Sequence, residues 1–397
     1  MNIAFLIYTP GITGGNVVIF EHALRLVEYG HSLTMITVNK LSEDKQELFW
    51  YKKAQSLEWI TYEEANTLKI KFDIVIAGWW ETFFELHKIN SSHYAYFVQS
   101  IESRFYHSND KAKRKLVEST YTFDIPIITE ATWIKKYLFD KYYENAYLVR
   151  NGIRKDIYKL DGEAVAPRDP KKLRILVEGP LEIAFKNVQK TIKLCKESLA
   201  DEIWLLTSTM VDKVSGVDRV FSRIPSEKTA EIYRSCDVII KLSYIEGMFG
   251  PPLEMFHCGG TAIVFDVTGH DEYIIHEKNG LVVKTDDDLQ VIKYINELKE
   301  NPKKLDFLKQ NAIETAKNWN SWDISAKEFE KALLDITKKC YIQEKLKLKS
   351  EFIYDWYTIS NIQVNKNSFI LKLKDYIKKN FPYLLNCIKR IFNNIKY

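Results

Sequence analysis

The chain has 397 residues, of which 46% are hydrophobic and 28% charged, a composition that excludes a disordered or fibrous protein and suggests two domains. Its five cysteines form no CxxC pair, which argues against a disulfide scaffold or zinc ribbon and favours a reducing compartment. The net charge is only +4, so no nucleic-acid partner is expected. However, residues 338–397 hold 13 Lys and Arg against 4 Asp and Glu, which predicts a separate basic unit.

The first part of the chain alternates apolar strands with amphipathic helices. Residues 3–8 predict a buried strand, 9–16 a glycine-rich turn, 17–29 a helix and 33–38 a second strand. This βαβ unit predicts a doubly wound parallel sheet. The pattern continues with predicted strands at 72–77, 94–98, 125–128 and 147–149 and a helix at 132–139.

A polar stretch with Gly and Pro, residues 154–172, predicts a linker. After it the alternation resumes, so a second domain of the same class is expected. Its predicted strands are 173–177, 202–206, 238–242, 261–265 and 280–283, and its predicted helices are 187–198, 226–236, 252–258, 271–275, 287–301 and 302–319. The predicted units are therefore an N-terminal domain at 1–153, a C-terminal domain at 173–337 and a tail at 338–397.

The densest chemical signal follows the predicted strand 238–242. Glu246 and Glu254 lie eight positions apart and bracket a Gly/Pro turn that leads into a helix. Open α/β sheets bind ligands at the carboxyl ends of their strands, and a helix N-terminus favours anions. The N–H groups of Phe249 and Gly250 are expected to face such an anion.

This segment resembles the E-x7-E signature of family 4 retaining glycosyltransferases. Further stretches resemble motifs of the same family, namely 151–153, 224–226, 232–238, 255–264, 269–273 and 279–283. The similarity covers about residues 1–335. It implies the GT-B fold, in which two Rossmann-like domains face a cleft, with a nucleotide sugar on the C-terminal domain and the acceptor on the N-terminal domain.

The resemblance also implies roles for individual residues. Lys186 would neutralise the leaving diphosphate, Glu246 would orient the sugar and Glu254 the ribose. Pro180 replaces the arginine usual in the family, so Arg223 or Lys241 is a candidate substitute. The implied donor-binding residues are Gly14, Gly15, Gly179, Lys186, Arg223, Ile224, Glu246, Gly247, Met248, Phe249, Gly250 and Glu254. No metal or cofactor is expected beyond the nucleotide sugar as co-substrate.

On the acceptor side, Gln99, Glu102 and Phe105 form a Q-x-x-E-x-x-F loop that resembles a rhamnosyltransferase-like branch of the family. Glu102 is a candidate catalytic residue, with Glu246 and Lys186, that would contact the acceptor or take its proton; the alternative is a cap or ion pair. Gln99 is placed on the acceptor side because it lies in the loop where many family members have a histidine. Trp79 and Trp80 are placed there because aromatic rings stack on sugars. The tryptophans could equally belong to the core.

The tail combines apolar residues at helical spacing with lysines across residues 369–397, and Pro382 divides it. A basic amphipathic helix of this kind is typical of attachment to an anionic membrane. The alternatives are packing back on the protein and an oligomer contact. The absence of an apparent signal peptide or spanning segment predicts a cytoplasmic protein on the inner face of the membrane.

The predicted function is transfer of a sugar, with retention of configuration, to a glycan or lipid-linked acceptor in cell-surface polysaccharide or glycolipid assembly. Two alternatives stay open: a sugar-nucleotide epimerase or Rossmann dehydrogenase, and a non-catalytic subunit that binds nucleotide sugars or glycans. The dehydrogenase is disfavoured because the second strand ends in Val38-Asn39-Lys40, without the acid that holds an NAD ribose.

Overall fold

The computed structural model describes residues 1–339 and 343–361. The N-terminal elements are β1 (Asn2–Leu6), α1 (Gly14–Glu28), β2 (Ser32–Thr37), β3 (Glu58–Thr61), α2 (Tyr62–Thr67), β4 (Phe72–Ala77), α3 (Trp80–Glu85), β5 (Ser91–Val98), α4 (Lys111–Ser119), β6 (Ile127–Thr129), α5 (Thr132–Tyr142) and β7 (Tyr147–Leu148). In the described residues these strands form one parallel sheet in the order β3-β2-β1-β4-β5-β6-β7. Helices cover both of its faces, as a parallel sheet requires.

The second domain repeats this architecture. Its elements, with the helices that follow, are β8 (Arg174–Glu178), α6 (Val188–Lys196), β9 (Glu202–Thr207), β10 (Arg219–Ser222), α7 (Ser226–Ser235), β11 (Val238–Lys241), α8 (Gly250–His257), β12 (Thr261–Phe265), β13 (Leu281–Val283), α9 (Asp288–Glu300), α10 (Pro302–Asn318), α11 (Trp322–Ile336) and α12 (Gln343–Asn361). The strands form a parallel sheet in the order β10-β9-β8-β11-β12-β13. The expected pair of doubly wound domains is confirmed.

The elements predicted best are those that the core buries completely. β4 and β12 have the predicted bounds, and the side chains from Ile74 to Ala77 are fully buried. The edge strands β3 and β10 were not predicted. Both are four residues long and only partly buried, so they lack the apolar run by which central strands are recognised.

The sequence predicts that the C-terminal domain extends to residue 337, but α11 packs in the N-terminal domain. Trp322, Phe329, Leu333 and Ile336 are buried against β1 and α1. The apolar residues of α11 have the same helical spacing whichever sheet the helix covers, so this spacing alone could not assign α11 to a domain.

The predicted tail also begins with a helix that packs on the protein. In α12, Leu346 and Ser350 are buried, and Ile353 and Tyr357 pack against the core beside α3 and α4. The predicted membrane helix at 369–397 lies outside the described residues. Within the described part of the chain, no helix has both the length and the apolar character needed to cross a membrane.

Within residues 1–339 the chain crosses between the domains twice, and the two crossings pack side by side. Outgoing Ile153 pairs with returning Ser321, and its N–H donates to the carbonyl of Asn320 over 3.2 Å. The indole Nε1 of Trp319 donates to the Asn151 carbonyl over 2.9 Å. A Cβ at Gly152 would lie 2.3 Å from the backbone nitrogen of Trp322, so only glycine fits this crossing.

We therefore expect Gly152→Ala to lower the free energy of unfolding by about 1–3 kcal/mol or more, the usual cost of overpacking. Urea unfolding followed by circular dichroism would measure it. Gly14→Ala is the matched control, because a Cβ there would meet nothing within 4 Å. Equal stability of the two variants would contradict a tight crossing at Gly152.

Candidate active site

The carboxyl ends of β8 and β11 lie side by side and carry a cluster of opposite charges. Lys241, at the end of β11, is buried, and its Nζ lies 2.5 Å from Oε2 of Glu178 at the end of β8. Glu246, in the loop after β11, is also buried and accepts two hydrogen bonds of 2.9 Å from Lys186 Nζ. Lys241 Nζ lies 3.8 Å from Glu246 Oε1. Lys186 and Glu246, both predicted site residues, are thus brought together with Lys241 as a second cation.

These buried groups stay charged because each is compensated. Burial on its own would raise the pKa of Glu246, but Lys186 and Lys241 outweigh it and hold that pKa below its usual range. Burial would likewise lower the pKa of Lys241, and the carboxylates of Glu178 and Glu246 raise it instead. The site is therefore a set of charges that compensate one another.

Glu254 lies on α8 and differs from Glu246 in its electrostatics. Burial raises the pKa of Glu254 to about 7; hydrogen bonding from Tyr233 opposes the rise and the Glu178 carboxylate adds to it. Near neutral pH this carboxyl therefore holds a proton more readily than an exposed glutamate does. It adds less negative charge to the site than an exposed glutamate would.

The backbone of the loop before α8 is partly occupied by its own contacts. The N–H of Gly250, expected to face an anion, instead donates to the Met248 carbonyl over 3.0 Å. The Phe249 carbonyl accepts a hydrogen bond from the hydroxyl of buried Tyr273. This tight turn could not be foreseen from the Gly/Pro composition, which is also compatible with an open loop.

Three further predicted donor-side positions follow β8 and β10. A Cβ at Gly179 would stand 3.8 Å from Lys241 Nζ, which places this glycine beside the charge cluster. Arg223 directs its guanidinium over the ring of Phe49 in the N-terminal domain, 5.0 Å from the centroid. Ile224 packs against the C-terminal core. Of the two proposed substitutes for the missing arginine, Lys241 is the one in the cluster with Lys186.

On the N-terminal side of the cleft, α1 begins at Gly14 and its next residue faces Gln99. A Cβ at Gly15 would lie 3.2 Å from Gln99 Oε1, and that oxygen is buried without a hydrogen-bond partner among the described residues. The backbone oxygen of Gln99 is in turn close to Gly247 of the C-terminal domain. Gly15, Gly247 and Gln99 therefore lie where the domains meet.

The two adjacent tryptophans have different surroundings. Trp79 stacks on Phe105 at 5.9 Å between ring centroids, and Phe105 stacks on Phe185 of the other domain at 5.0 Å. Trp80 is 2% exposed, and its Nε1 donates to the Tyr106 hydroxyl, so it is a core residue. Trp79 therefore lies beside the cleft and Trp80 in the core, and an acceptor-side role for either residue stays a prediction.

Glu102 is a buried group rather than an exposed one. Its Oε2 accepts hydrogen bonds from the backbone N–H of Trp80, 2.8 Å, and from the hydroxyl of Tyr96, 2.9 Å. Burial raises its pKa to about 8. These contacts favour a structural role, and the acceptor-side role stays a prediction.

Three residues that contact the C-terminal loops were not predicted from the sequence. They lie in the first turn of α5 and directly before that helix. Glu130 accepts a hydrogen bond from the Met248 N–H, and Trp133 donates one to the Gly247 carbonyl. Thr132 donates from its backbone N–H and its hydroxyl to Glu272, at 2.5 and 3.0 Å. The available signal was their position directly after β6, at the edge where parallel strands place their functional residues.

Comparison with known proteins places part of the site in a family segment. Residues 217–315 match the family model described as Glycosyl transferases group 1, and this segment contains Lys241, Glu246 and Glu254. No curated protein matches the chain significantly. The family match supports a glycosyltransferase.

Several solved structures share the whole two-domain architecture. Sucrose-phosphate synthase from Thermosynechococcus elongatus is 16% identical, with a TM-score of 0.69 over 85% of this chain and 99% of that one. Anabaena HepE, solved with UDP-glucose, is 12% identical, with a TM-score of 0.68 over 84% and 100%. A glycosyltransferase from Rickettsia africae is 13% identical, with a TM-score of 0.63 over 85% and 99%. At these identities the likeness shows the fold, and the expected GT-B fold is confirmed.

The buried carboxyl of Glu102 predicts a pH dependence of stability. Its folded-state pKa, about 8, exceeds the ordinary value of 4.5, so the unfolded chain loses this proton first as pH rises. The free energy of unfolding therefore falls between about pH 4.5 and 8. We expect Glu102→Gln, which keeps an oxygen acceptor, to flatten this dependence and to gain more than about 1.4 kcal/mol over wild type at pH 8.

Urea titrations of both proteins at pH 5 and pH 8 would measure the difference. If both proteins changed equally in free energy of unfolding between pH 5 and pH 8, Glu102 would not hold a proton in the folded state. A turnover rate close to wild type in the same variant would argue against Glu102 as the catalytic base.

Proposed function

We propose that this chain transfers a sugar from a nucleotide-sugar donor to a glycan or lipid-linked acceptor with retention of configuration, as a family 4 enzyme. The observation that carries the proposal is the Lys186–Glu246–Lys241–Glu178 cluster at the carboxyl ends of β8 and β11. Two of its members, Lys241 and Glu246, lie in a segment that matches a glycosyltransferase family, and the cluster lies beside the cleft between two domains of the GT-B fold.

The cluster has the charges that a nucleotide diphosphate needs. Lys186 is half-buried and reaches into the site from the short turn after β8, so a diphosphate could take its ammonium group from Glu246. Negative charge that builds up on the leaving diphosphate would be stabilised by a fixed cation, as in other preorganised sites. Lys241 would supply the second positive charge that the missing arginine provides elsewhere in the family.

The carboxylates would hold the hydroxyl groups of the donor. Once Lys186 turns to the diphosphate, both oxygens of Glu246 become available to accept hydrogen bonds from the sugar. Glu254, about one turn into α8, would bind the ribose diol. Its raised pKa limits repulsion of the diphosphate. The acceptor hydroxyl would attack C1 on the face from which the diphosphate leaves, and a closed cleft would exclude water.

The acceptor would enter from the N-terminal side. Trp79 at the cleft offers a ring for a sugar face, and Gln99 offers a buried amide oxygen without a partner in the described structure. The Q-x-x-E-x-x-F loop supports a deoxyhexose donor of the rhamnosyltransferase-like branch. UDP-sugars also belong in the first panel, because Anabaena HepE was solved with UDP-glucose.

Thermal unfolding with UDP-, GDP-, dTDP- and ADP-sugars tests the donor site. A ligand at 100 times its Kd stabilises the folded state by about 2.7 kcal/mol, so one nucleotide sugar is expected to raise the Tm clearly. We expect Lys186→Ala and Glu254→Gln to lose most of that shift. Lys193→Ala, an exposed lysine of α6, is the matched control and should keep it.

Stabilisation without turnover would favour a non-catalytic binding subunit, and stabilisation by NAD(H) alone would favour a dehydrogenase or epimerase. No shift with any nucleotide sugar would contradict the proposal. With the identified donor, proton NMR of the product would establish whether the anomeric configuration is retained.

We also propose that the basic C-terminal stretch attaches the enzyme to the inner face of an anionic membrane, where cell-surface polysaccharide or glycolipid is assembled. In support, α12 carries the chain along the N-terminal domain beside α4, whose sequence begins Lys-Ala-Lys-Arg-Lys. Each cation near an anionic surface contributes about 1 kcal/mol.

Co-sedimentation with phosphatidylserine vesicles would measure this attachment. Replacing Lys372, Lys374, Lys378 and Lys379 together by Gln in the full chain should weaken binding, and vesicles of phosphatidylcholine should bind neither protein. Equal binding of both proteins to the anionic vesicles would contradict the proposal.

A further inference from the structure

One peptide group in the candidate site is held from the opposite domain at both of its ends. The indole Nε1 of Trp133 donates to the Gly247 carbonyl over 2.9 Å, and Glu130 Oε1 accepts from the Met248 N–H over 3.1 Å. The Gly247 carbonyl and the Met248 N–H belong to the same peptide plane. Its orientation is therefore set by two side chains of the N-terminal domain.

Both side chains are themselves fixed. Glu130 is 5% exposed, and its second oxygen accepts a hydrogen bond of 2.8 Å from the Asn151 amide at the domain crossing. The ring of Trp133 lies 5.0 Å from the guanidinium carbon of Arg104. A buried carboxylate that accepts two N–H groups and a tryptophan packed on its face have little freedom to follow a moving loop.

The clamped peptide directly follows Glu246 and has little room. A Cβ at Gly247 would lie 1.9 Å from the backbone oxygen of Gln99 and 3.1 Å from Glu130 Oε1. The glycine therefore allows a close approach of the two domains at this point. A peptide next to glycine also rotates easily, so without the two hydrogen bonds the loop would have several orientations.

We infer that Glu130 and Trp133 are positioning residues that clamp the Gly247–Met248 peptide and so fix Glu246 for the sugar only when the cleft is closed. Domain closure and completion of the sugar site are then one event. This inference rests on the proposed function for its kinetic consequence. Its structural consequence, that the clamp holds the closed arrangement, can be tested without any substrate.

Single substitutions can remove each contact with little loss of volume. Trp133→Phe deletes the indole N–H and keeps an aromatic ring. Glu130→Gln leaves one oxygen for two N–H donors, because an amide accepts at only one of its two positions. Trp59→Phe is the matched control, since Trp59 donates from Nε1 to the Ala54 carbonyl over 2.9 Å within the N-terminal domain.

With the donor found by thermal unfolding, we expect both clamp variants to lose at least tenfold in kcat and to keep the donor Kd within about threefold. Lys186, Lys241 and Glu254 all lie on the C-terminal domain, so donor contacts survive opening of the cleft. The double variant should lose little more than the worse single variant, because both groups act on one peptide. Trp59→Phe should keep the wild-type kcat.

Small-angle scattering without ligand provides the second readout. Gly247→Ala forces the closed domains apart, so it is expected to have a larger radius of gyration than wild type. The clamp variants should shift in the same direction and Trp59→Phe should not. Wild-type Tm values in all four proteins would exclude general unfolding as the cause.

Clamp variants that match wild type in kcat and radius of gyration would overturn the inference while the proposed function stands. A loss confined to the donor Kd would also overturn it, because it would place the two residues in ground-state binding. If wild type neither binds nor turns over any nucleotide sugar, the proposed function fails. The scattering comparison then still decides whether the clamp exists.

Discussion

The buried ammonium group of Lys241 is the interaction on which the candidate site depends. A lysine in this position is tolerated only if carboxylates compensate it, and Glu178 and Glu246 do so from two different segments. Glu178 is positioned because β8 and β11 are neighbours in a parallel sheet, and Glu246 is positioned by the loop that follows β11. Substitution of either carboxylate would leave Lys241 with one compensating partner instead of two, so the sheet register and the site chemistry are tied together.

The sequence allowed the two sheets and the C-terminal half of the site to be predicted. Strand β11, the Gly/Pro loop and α8 are adjacent along the chain, so spacing alone brings Glu246 and Glu254 to one end of the domain. Lys186 was predicted from a family motif, and its contact with Glu246 agrees with that position. Local patterns are sufficient wherever the residues involved are close in sequence.

The remaining features arise from segments far apart in the chain. Trp80 and Glu102 were candidates for ligand binding because both follow the end of a strand. In the structure, neighbouring rings and hydroxyl groups bury them. Glu130 and Trp133 lie more than a hundred positions before the peptide they contact. Such contacts depend on how two domains meet, which hydrophobic periodicity does not specify.

The packing of α11 on α1 has a consequence for the order of folding during synthesis. The apolar surface formed by β1 and α1 is covered by Phe329, Leu333 and Ile336, which the ribosome adds only after the whole C-terminal sheet. The C-terminal domain, by contrast, is continuous from β8 to α10 and has every strand it needs before α11 emerges. In a growing chain the second domain can therefore be completed before the first, and the uncovered surface of the first must be kept from aggregation until then.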